Sequence, residues 1–282
     1  MAAMAGEQGS LHRPARRLTA AGAEALDEIV AEEVAVALVY NGVSHAVMMA
    51  TPCDLEDFAR GFSLTERIVA KPSEIYDIEV EEVERSGGGR GFEVRLDIAS
   101  QRMVTLQAQR RTMAGRTGCG LCGVDSLEAA LRPVPRSAGA GKVSRAAIQR
   151  AMAALPAQQK INRENGATHA AGWAMPDGTL VAVREDVGRH NALDKLGGAL
   201  AKAGMPAAGG FVVVTSRCSY EMVEKTAMAR VAVLTAISAP TALAIRTAEA
   251  CGMTLVAIAR GSEFEIFSHP HRIVGGEVRN VA

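Results

Sequence analysis

The sequence predicts an α/β fold: a three-layer sandwich preceded by a smaller α+β domain. Three observations carry that prediction. The second half of the 282 residues alternates helix-like and strand-like segments in the order α-β-β-α-β-α-β-α-β. Its late strands, Phe211–Thr215, Val231–Ala236 and Thr254–Ala259, are almost unbroken apolar runs, as in strands covered by helices on both faces. The first half instead alternates apolar and polar residues around tight turns, the mark of half-buried strands.

Taken in order, residues 1–25 hold glycines and arginines but no apolar stretch of the kind a signal peptide needs, and read as a disordered tail. Residues 26–112 read as the small α+β domain. Glu33–Ala50 mixes Val, Leu, Tyr and Met around Asn41-Gly42, a strong hairpin signal. Thr51-Pro52-Cys53-Asp54 stops the strand, and Asp54 is a suitable N-cap for a helix from Leu55 to Val69. Ile75–Val83 and Phe92–Ile98 alternate like strands about the Gly87-Gly88-Gly89 turn. Residues 113–142 form a loop and linker: a Cys-x-x-Cys, a short helix capped near Asp125 and running to about Leu131, then Pro133, Pro135, Gly139 and Gly141. In residues 143–282, Ser144 caps a helix to about Leu155, and strands near Thr168–Met175 and Thr179–Arg184 turn at Pro176-Asp177-Gly178. Helices follow at about His190–Ala203, Tyr220–Arg230 and Pro240–Ala250, between the apolar strands.

Composition narrows the function. The formal net charge is zero, which gives no case for nucleic-acid binding through a basic surface. No run of ~18 apolar residues is present, so no membrane span is expected. Five cysteines spread thinly through the chain suit a reducing cytoplasm better than a disulfide framework. Outside the cysteine-bearing stretch Gly118 to Gly123, neither Gly-x-Gly-x-x-Gly nor a P-loop occurs, which argues against an ordinary NAD enzyme or P-loop ATPase.

The densest chemistry lies in Arg116-Thr117-Gly118-Cys119-Gly120-Leu121-Cys122-Gly123. Glycines on every side leave both sulfurs unshielded, and no acidic residue falls between Gln101 and Val124. Positive charge from Arg110, Arg111 and Arg116 favours the thiolate, the nucleophilic form. Four readings stand: half of a zinc site, which lacks a second tight ligand pair; a thioredoxin-type redox pair, which lacks the βαβ setting; a structural pair; and a persulfide carrier. A second polar cluster, Arg184 to Lys195, sits where a strand meets a helix and includes Glu185, Asp186, Arg189, His190 and Asn191. Ser216, Arg217 and Ser219, and Ser238 to Thr241, link strand ends to helix starts, where free N–H groups attract phosphate. Phe264 and Phe267, in Phe264-Glu265-Ile266-Phe267-Ser268-His269, read either as core or as surfaces on which a heteroaromatic ring stacks.

Together, Gly118–Gly123, Glu185–Lys195 and Ser238–Thr241 resemble the FdhD family from about Val34 to Ile273. The resemblance implies a sulfurtransferase: persulfide sulfur from a cysteine desulfurase is taken up by the Cys-x-x-Cys and passed to the molybdenum of a bis(molybdopterin guanine dinucleotide) cofactor destined for apo formate dehydrogenase. It implies that Cys119 carries the persulfide, with Cys122 resolving or relaying it, although Cys122 stands nearer the helix that Asp125 would cap. It assigns Phe264, Glu265, Ile266, Phe267, Ser268 and His269 to cofactor binding, and a cytidine-deaminase-like layering to the larger domain. Ser216, Arg217, Ser219, Arg189 and His190 are the further residues expected to hold that cofactor, with GDP or another guanine nucleotide as a mimic. Such a scaffold often self-associates, so a homodimer is expected. The zinc ligands of deaminases are not encoded, because His169-Ala170-Ala171 lacks the glutamate and the helix near Tyr220 lacks the cysteine pair. Asn165-Gly166-Ala167-Thr168-His169 departs from the family's Thr-Gly-Gly-x-His, with Ala167 in place of a glycine. The alternative reading is a cofactor-binding chaperone that moves no sulfur.

Overall fold

The computed structural model describes residues 9–84, 88–110, 132–137, 141–206, 209–261 and 263–275. Residues 1–8 of the expected disordered tail lie outside the described residues, and the rest of it is part of a hairpin. Strands β1 (Ser10–Thr19) and β2 (Gly22–Ala31) pair antiparallel, Ser10 opposite Ala31 and Thr19 opposite Gly22. Opposite charges meet across this ladder. Arg13 stands opposite Glu28, Arg17 opposite Glu24, and His12 Nδ1 lies 2.8 Å from an Asp27 oxygen. The hairpin is tied down at its base, where Ser10 Oγ donates to Glu164 at 3.0 Å and accepts from Asn165 Nδ2 at 2.9 Å.

Strands β3 (Val34–Tyr40) and β4 (Val43–Ala50) form the expected hairpin, with Asn41 and Gly42 both at positive φ (46° and 78°) as a two-residue turn of this hand requires. Helix α1 (Leu55–Thr65) starts as expected but is not capped as expected. Asp54 takes a left-handed φ of 52° and its carboxylate makes no cap bond. The helix also ends four residues before Val69, because the chain turns at Arg67 with φ 62°. β5 (Ile75–Glu84) and β6 (Arg90–Ile98) complete a sheet of order β4-β3-β6-β5, in which β3 and β6 are parallel. Helix α2 (Ser100–Arg110), absent from the sequence prediction, follows β6 and buries Met103 and Leu106 three residues apart. Val36, Leu38, Tyr40, Phe58, Phe62, Val94 and Leu96 form the core of this part.

Beyond Arg132–Ser137 the chain forms β7 (Val143–Ser144) and α3 (Arg145–Gln158), which Ser144 caps by accepting from Ala147 N at 3.0 Å. Next come α4 (Lys160–Asn165), β8 (His169–Ala174), β9 (Leu180–Asp186), α5 (Arg189–Lys202) and β10 (Phe211–Val214). Then follow α6 (Tyr220–Met228), β11 (Val233–Ala236), α7 (Ala242–Cys251), β12 (Thr254–Arg260), β13 (Glu263–Ile266) and β14 (Ile273–Val274). The large sheet has the order β13-β12-β11-β10-β8-β9, with β10, β11 and β12 mutually parallel and β8 antiparallel to β10. Leu196, Val223 and Ala248 of α5, α6 and α7 pack on one face with Trp173, Val212 and Leu255. Ile148 and Leu155 of α3 pack on the other with Phe211, Val213 and Val256. The fold is therefore mixed α/β, with helices on both faces of this sheet.

Two details differ from expectation. Pro240 lies outside α7 and forms a bridge with Cys218, while Thr241 caps the helix by accepting from Ala244 N at 3.1 Å. β13 was not anticipated as a strand.

Helix α1 joins the two parts by crossing α5 at glycines. A methyl group on Gly61 would lie 1.8 Å from the Asp194 carbonyl oxygen, and one on Gly198 the same distance from that of Asp57. Only a residue without Cβ permits this approach.

Candidate functional site

Strands β9, β10, β11 and β12 all end at one edge of the large sheet, and β8 begins there with His169 opposite Asp186. The carboxyl edge of such a sheet is where ligands usually bind in α/β proteins. The polar residues gathered here fall into two groups.

In the first group the side-chain oxygens are engaged by the protein itself. Glu185 is buried and accepts from Ile161 N (3.0 Å), Asn162 N (2.8 Å) and Thr168 Oγ1 (2.9 Å), so it caps α4. Asp186 is fully buried. One oxygen accepts from Thr51 N at 3.0 Å and pairs with Lys195 Nζ at 2.8 Å; the other accepts from Gly188 N and Asn191 Nδ2 at 2.8 and 3.0 Å. Lys195, also fully buried, donates further to the carbonyls of Thr51 (3.0 Å) and Glu185 (3.2 Å). A parallel network surrounds Lys225, which lies 2.9 Å from Asp194 and 3.1 Å from Glu66. Burial opposes its charge, but those two carboxylates outweigh burial and hold its pKa above the ordinary lysine range.

In the second group, buried polar atoms lack a hydrogen-bond partner among the described residues: Arg189 Nε, His190 Nε2 and Ser219 Oγ. They open the helices α5 and α6, whose N-caps, Gly188 and Ser219, make no side-chain cap bond. His190 Nε2 lies 3.9 Å from Glu221, too far to hydrogen-bond. Burial, with Arg189 and Lys225 nearby, pushes the His190 pKa down to about 4, so the imidazole is neutral at pH 7. Burial and Arg189 also lower that of His169. Ser216 is buried and donates to the Arg217 carbonyl at 3.0 Å, while the Arg217 side chain is exposed. This edge thus offers a guanidinium, a hydroxyl and a neutral imidazole around two uncapped helix starts, a set suited to phosphate and to a heteroaromatic ring.

The structure does not gather all the expected binding residues at that edge. Phe264 to Ile266 lie in β13, and Phe264 and Phe267 are half-buried against opposite faces of the sheet. Glu265 and Ile266 are exposed. Ser268 is buried, donating to Met253 O at 2.7 Å and accepting from Leu255 N at 3.0 Å. His269 takes φ 46°, and its Nε2 lies 2.9 Å from Glu249 O. Since β13 runs antiparallel to β12, Ser268 and His269 lie by the start of β12. At ~3.3 Å per residue that is roughly 20 Å from the carboxyl edge.

Cys119 and Cys122 lie outside the described residues. The remaining cysteines are poor nucleophiles: burial raises the pKa of Cys53 and Cys251, and pushes that of Cys218 up to about 12. The chain returns at Arg132, where two contacts that the sequence did not foreshadow hold it. Tyr220 Oη donates to Arg132 O at 3.2 Å, and Arg67 Nη2 donates to Pro133 O at 2.7 Å. Beside them is a cavity of about 280 Å³ lined by Arg132, Val134, Tyr220, Leu243 and Arg246 among others. Among the described residues no cluster of three or more His, Cys, Asp or Glu is arranged to hold a metal ion.

Comparison with known proteins covers most of this chain. Residues 31–274 match the FdhD/NarQ family. A sulfur carrier protein FdhD of Cupriavidus necator is 54% identical over 245 residues, covering 86% of this chain and 83% of its own. One from Agrobacterium fabrum is 52% identical over 269 residues, covering 95% and 97%. In fold, the crystal structure of a putative formate dehydrogenase accessory protein from Desulfotalea psychrophila is similar, with a TM-score of 0.72 and 23% identity, covering 95% of this chain and all of that one. With a family match over most of its length and half its residues shared with such relatives, the chain belongs to the FdhD/NarQ family.

Proposed function

We propose that this protein is a sulfur carrier that serves the maturation of formate dehydrogenase. The names of its relatives and the glycine-flanked Cys119 and Cys122 support the carrier role. In this reading a cysteine desulfurase is the donor. The Cys119 thiolate attacks the outer sulfur of the donor's persulfide, the donor cysteine leaves as a thiolate, and Cys119 is left as a persulfide. Delivery breaks the new S–S bond. Cys119 keeps the electron pair as a thiolate, sulfur departs as a neutral atom, and a reduced molybdenum centre contributes the pair for its new bond, losing two electrons. Cys122 relays or resolves the sulfur.

The acceptor is the molybdenum bis(molybdopterin guanine dinucleotide), handled as cargo. The observation that best supports its binding is the set of unpartnered atoms on Arg189, His190 and Ser219 at the carboxyl edge. Arg189 and the helix starts, with Arg217 at the rim, take phosphate, and the neutral His190 hydrogen-bonds a ring nitrogen or carbonyl. Phe264 to His269 bind a more distant part of the same large molecule, and guanine nucleotide alone is a mimic. The larger sheet is read as a cytidine-deaminase-like scaffold, the protein as a cytoplasmic homodimer.

Intact-mass spectrometry after incubation with a cysteine desulfurase and cysteine tests the carrier step. One added sulfur, mapped to Cys119 and absent from the Cys119→Ala, Cys122→Ala double variant, is the expected result. An unmodified mass with an active desulfurase favours a chaperone that binds cofactor without moving sulfur.

A further inference from the structure

The contacts at Arg132 and Pro133 have a consequence for the order of events. Residues 111–131 carry both cysteines, and the first residues described after them are pinned by their backbone carbonyls. The Tyr220 hydroxyl holds that of Arg132 at 3.2 Å, and Arg67 holds that of Pro133 at 2.7 Å. Both anchors are themselves fixed. Arg67 sits in a left-handed turn (φ 62°) and pairs with Glu224 of α6 at 3.3 Å. Glu66, next to it, lies 3.6 Å from the Arg132 guanidinium and 3.1 Å from Lys225. Burial pushes the Tyr220 phenol up to about 12, so it stays a donor at working pH.

Tyr220 is also the first residue of α6, between Ser219, whose buried hydroxyl is unpartnered, and Glu221, which faces His190. One helical turn therefore borders the carboxyl edge and grips the exit of the cysteine-bearing stretch.

We propose that Tyr220 and Arg67 are positioning residues, which fix the exit of the cysteine-bearing stretch beside the carboxyl edge and thereby govern delivery of sulfur to a bound acceptor, not its loading. This rests on the carrier reading above. Loading needs the stretch to reach a desulfurase from solution, and a tethered exit adds nothing to it. Delivery is intramolecular once the acceptor is bound, and depends on where the tether begins.

The test uses Tyr220→Phe and Arg67→Gln in the full-length protein, with three readouts: sulfur loaded per chain by a desulfurase, discharge of loaded protein to cyanide as thiocyanate, and activation of cofactor-bearing apo formate dehydrogenase. Cyanide removes the persulfide sulfur and leaves the thiolate, so it reports reactivity without positioning. Loading and thiocyanate formation are expected to match wild type. The activation rate is expected to fall about three- to tenfold in each variant, as for loss of one hydrogen bond, and by less than the product of the two falls in the double variant, since both act on one segment. Unchanged activation, or an equal fall in all three readouts, overturns the proposal. Failure of the wild type to load sulfur would instead overturn the carrier reading.

Discussion

Two polar groups share the carboxyl edge of the large sheet, separated by little more than a turn of chain. Asp186 and Lys195 are both wholly buried, and each oxygen of Asp186 is engaged twice. Arg189 and His190, three and four residues beyond Asp186, keep buried nitrogens with no partner among the described residues. A buried polar atom left unpaired costs ~1–3 kcal/mol, so a stable protein keeps few of them. Side by side, the two groups separate what holds the edge together from what the edge leaves open to a ligand. The pairing of polar atoms distinguishes them, and their residue types do not.

The largest test of that contrast is Lys195→Met. It strands Asp186 in the interior, and a loss of about 3–5 kcal/mol is expected in denaturant titration. Adding Asp186→Asn should restore part of it; a loss that does not recover would mean the ammonium matters for packing alone.

Arg189→Ala should behave in the opposite way. Thermal stability should stay near wild type, while calorimetric affinity for GDP falls about tenfold or more, as for loss of a charge-assisted hydrogen bond. A variant that melts early and binds normally would move Arg189 into the first group.

His190 sharpens the distinction through pH. Its pKa in the folded protein, about 4, lies below the ordinary 6.5, so between those values the unfolded chain binds the extra proton. The stability due to a neutral His190 is complete above pH 6.5 and is lost as pH falls toward 4. His190→Asn should flatten that part of the stability curve, measured as denaturation midpoints from pH 7.5 to 4.5; a slope equal to wild type would show that another group titrates there.

The smallest effect belongs to an exposed pair. Lys202 meets Glu56 at 3.0 Å with side chains 58% and 49% exposed. Lys202→Met should change stability by no more than about 0.5 kcal/mol.

The same contrast explains what the sequence made legible. Elements governed by neighbours in the chain were readable: the Asn41-Gly42 turn, the Ser144 cap, and the apolar runs that became β10, β11 and β12. The tail escaped because its hairpin depends on opposite charges pairing across Thr19–Gly22 and on a base tied to Glu164, some 150 residues away. α2 escaped because, among its described side chains, Met103 and Leu106 are the buried apolar ones while Val104 is exposed, too few to mark a helical face. At the site, Glu185 to His190 drew attention as one cluster. Nothing local tells that Glu185 caps α4 or that Asp186 and Lys195 close on Thr51, whereas Arg189 and His190 remain open. The tether from Arg67 to Pro133 links residues 66 apart and has no sequence signature at all.

The crossing at Gly61 and Gly198 bears on how the chain can be divided. Residues 141–275 expressed alone would keep Lys195, Asp194 and Lys225 in an interior that had lost Thr51, Thr65 and the flank of α1. Water would then reach those charges across an open helix face, and the fragment should aggregate or stay partly unfolded by itself. Supplied with residues 9–110 as a separate chain, it should recover its fold by complementation. The two halves should then behave as parts of one folding unit, a break in the chain between them being tolerable only while both pieces are present.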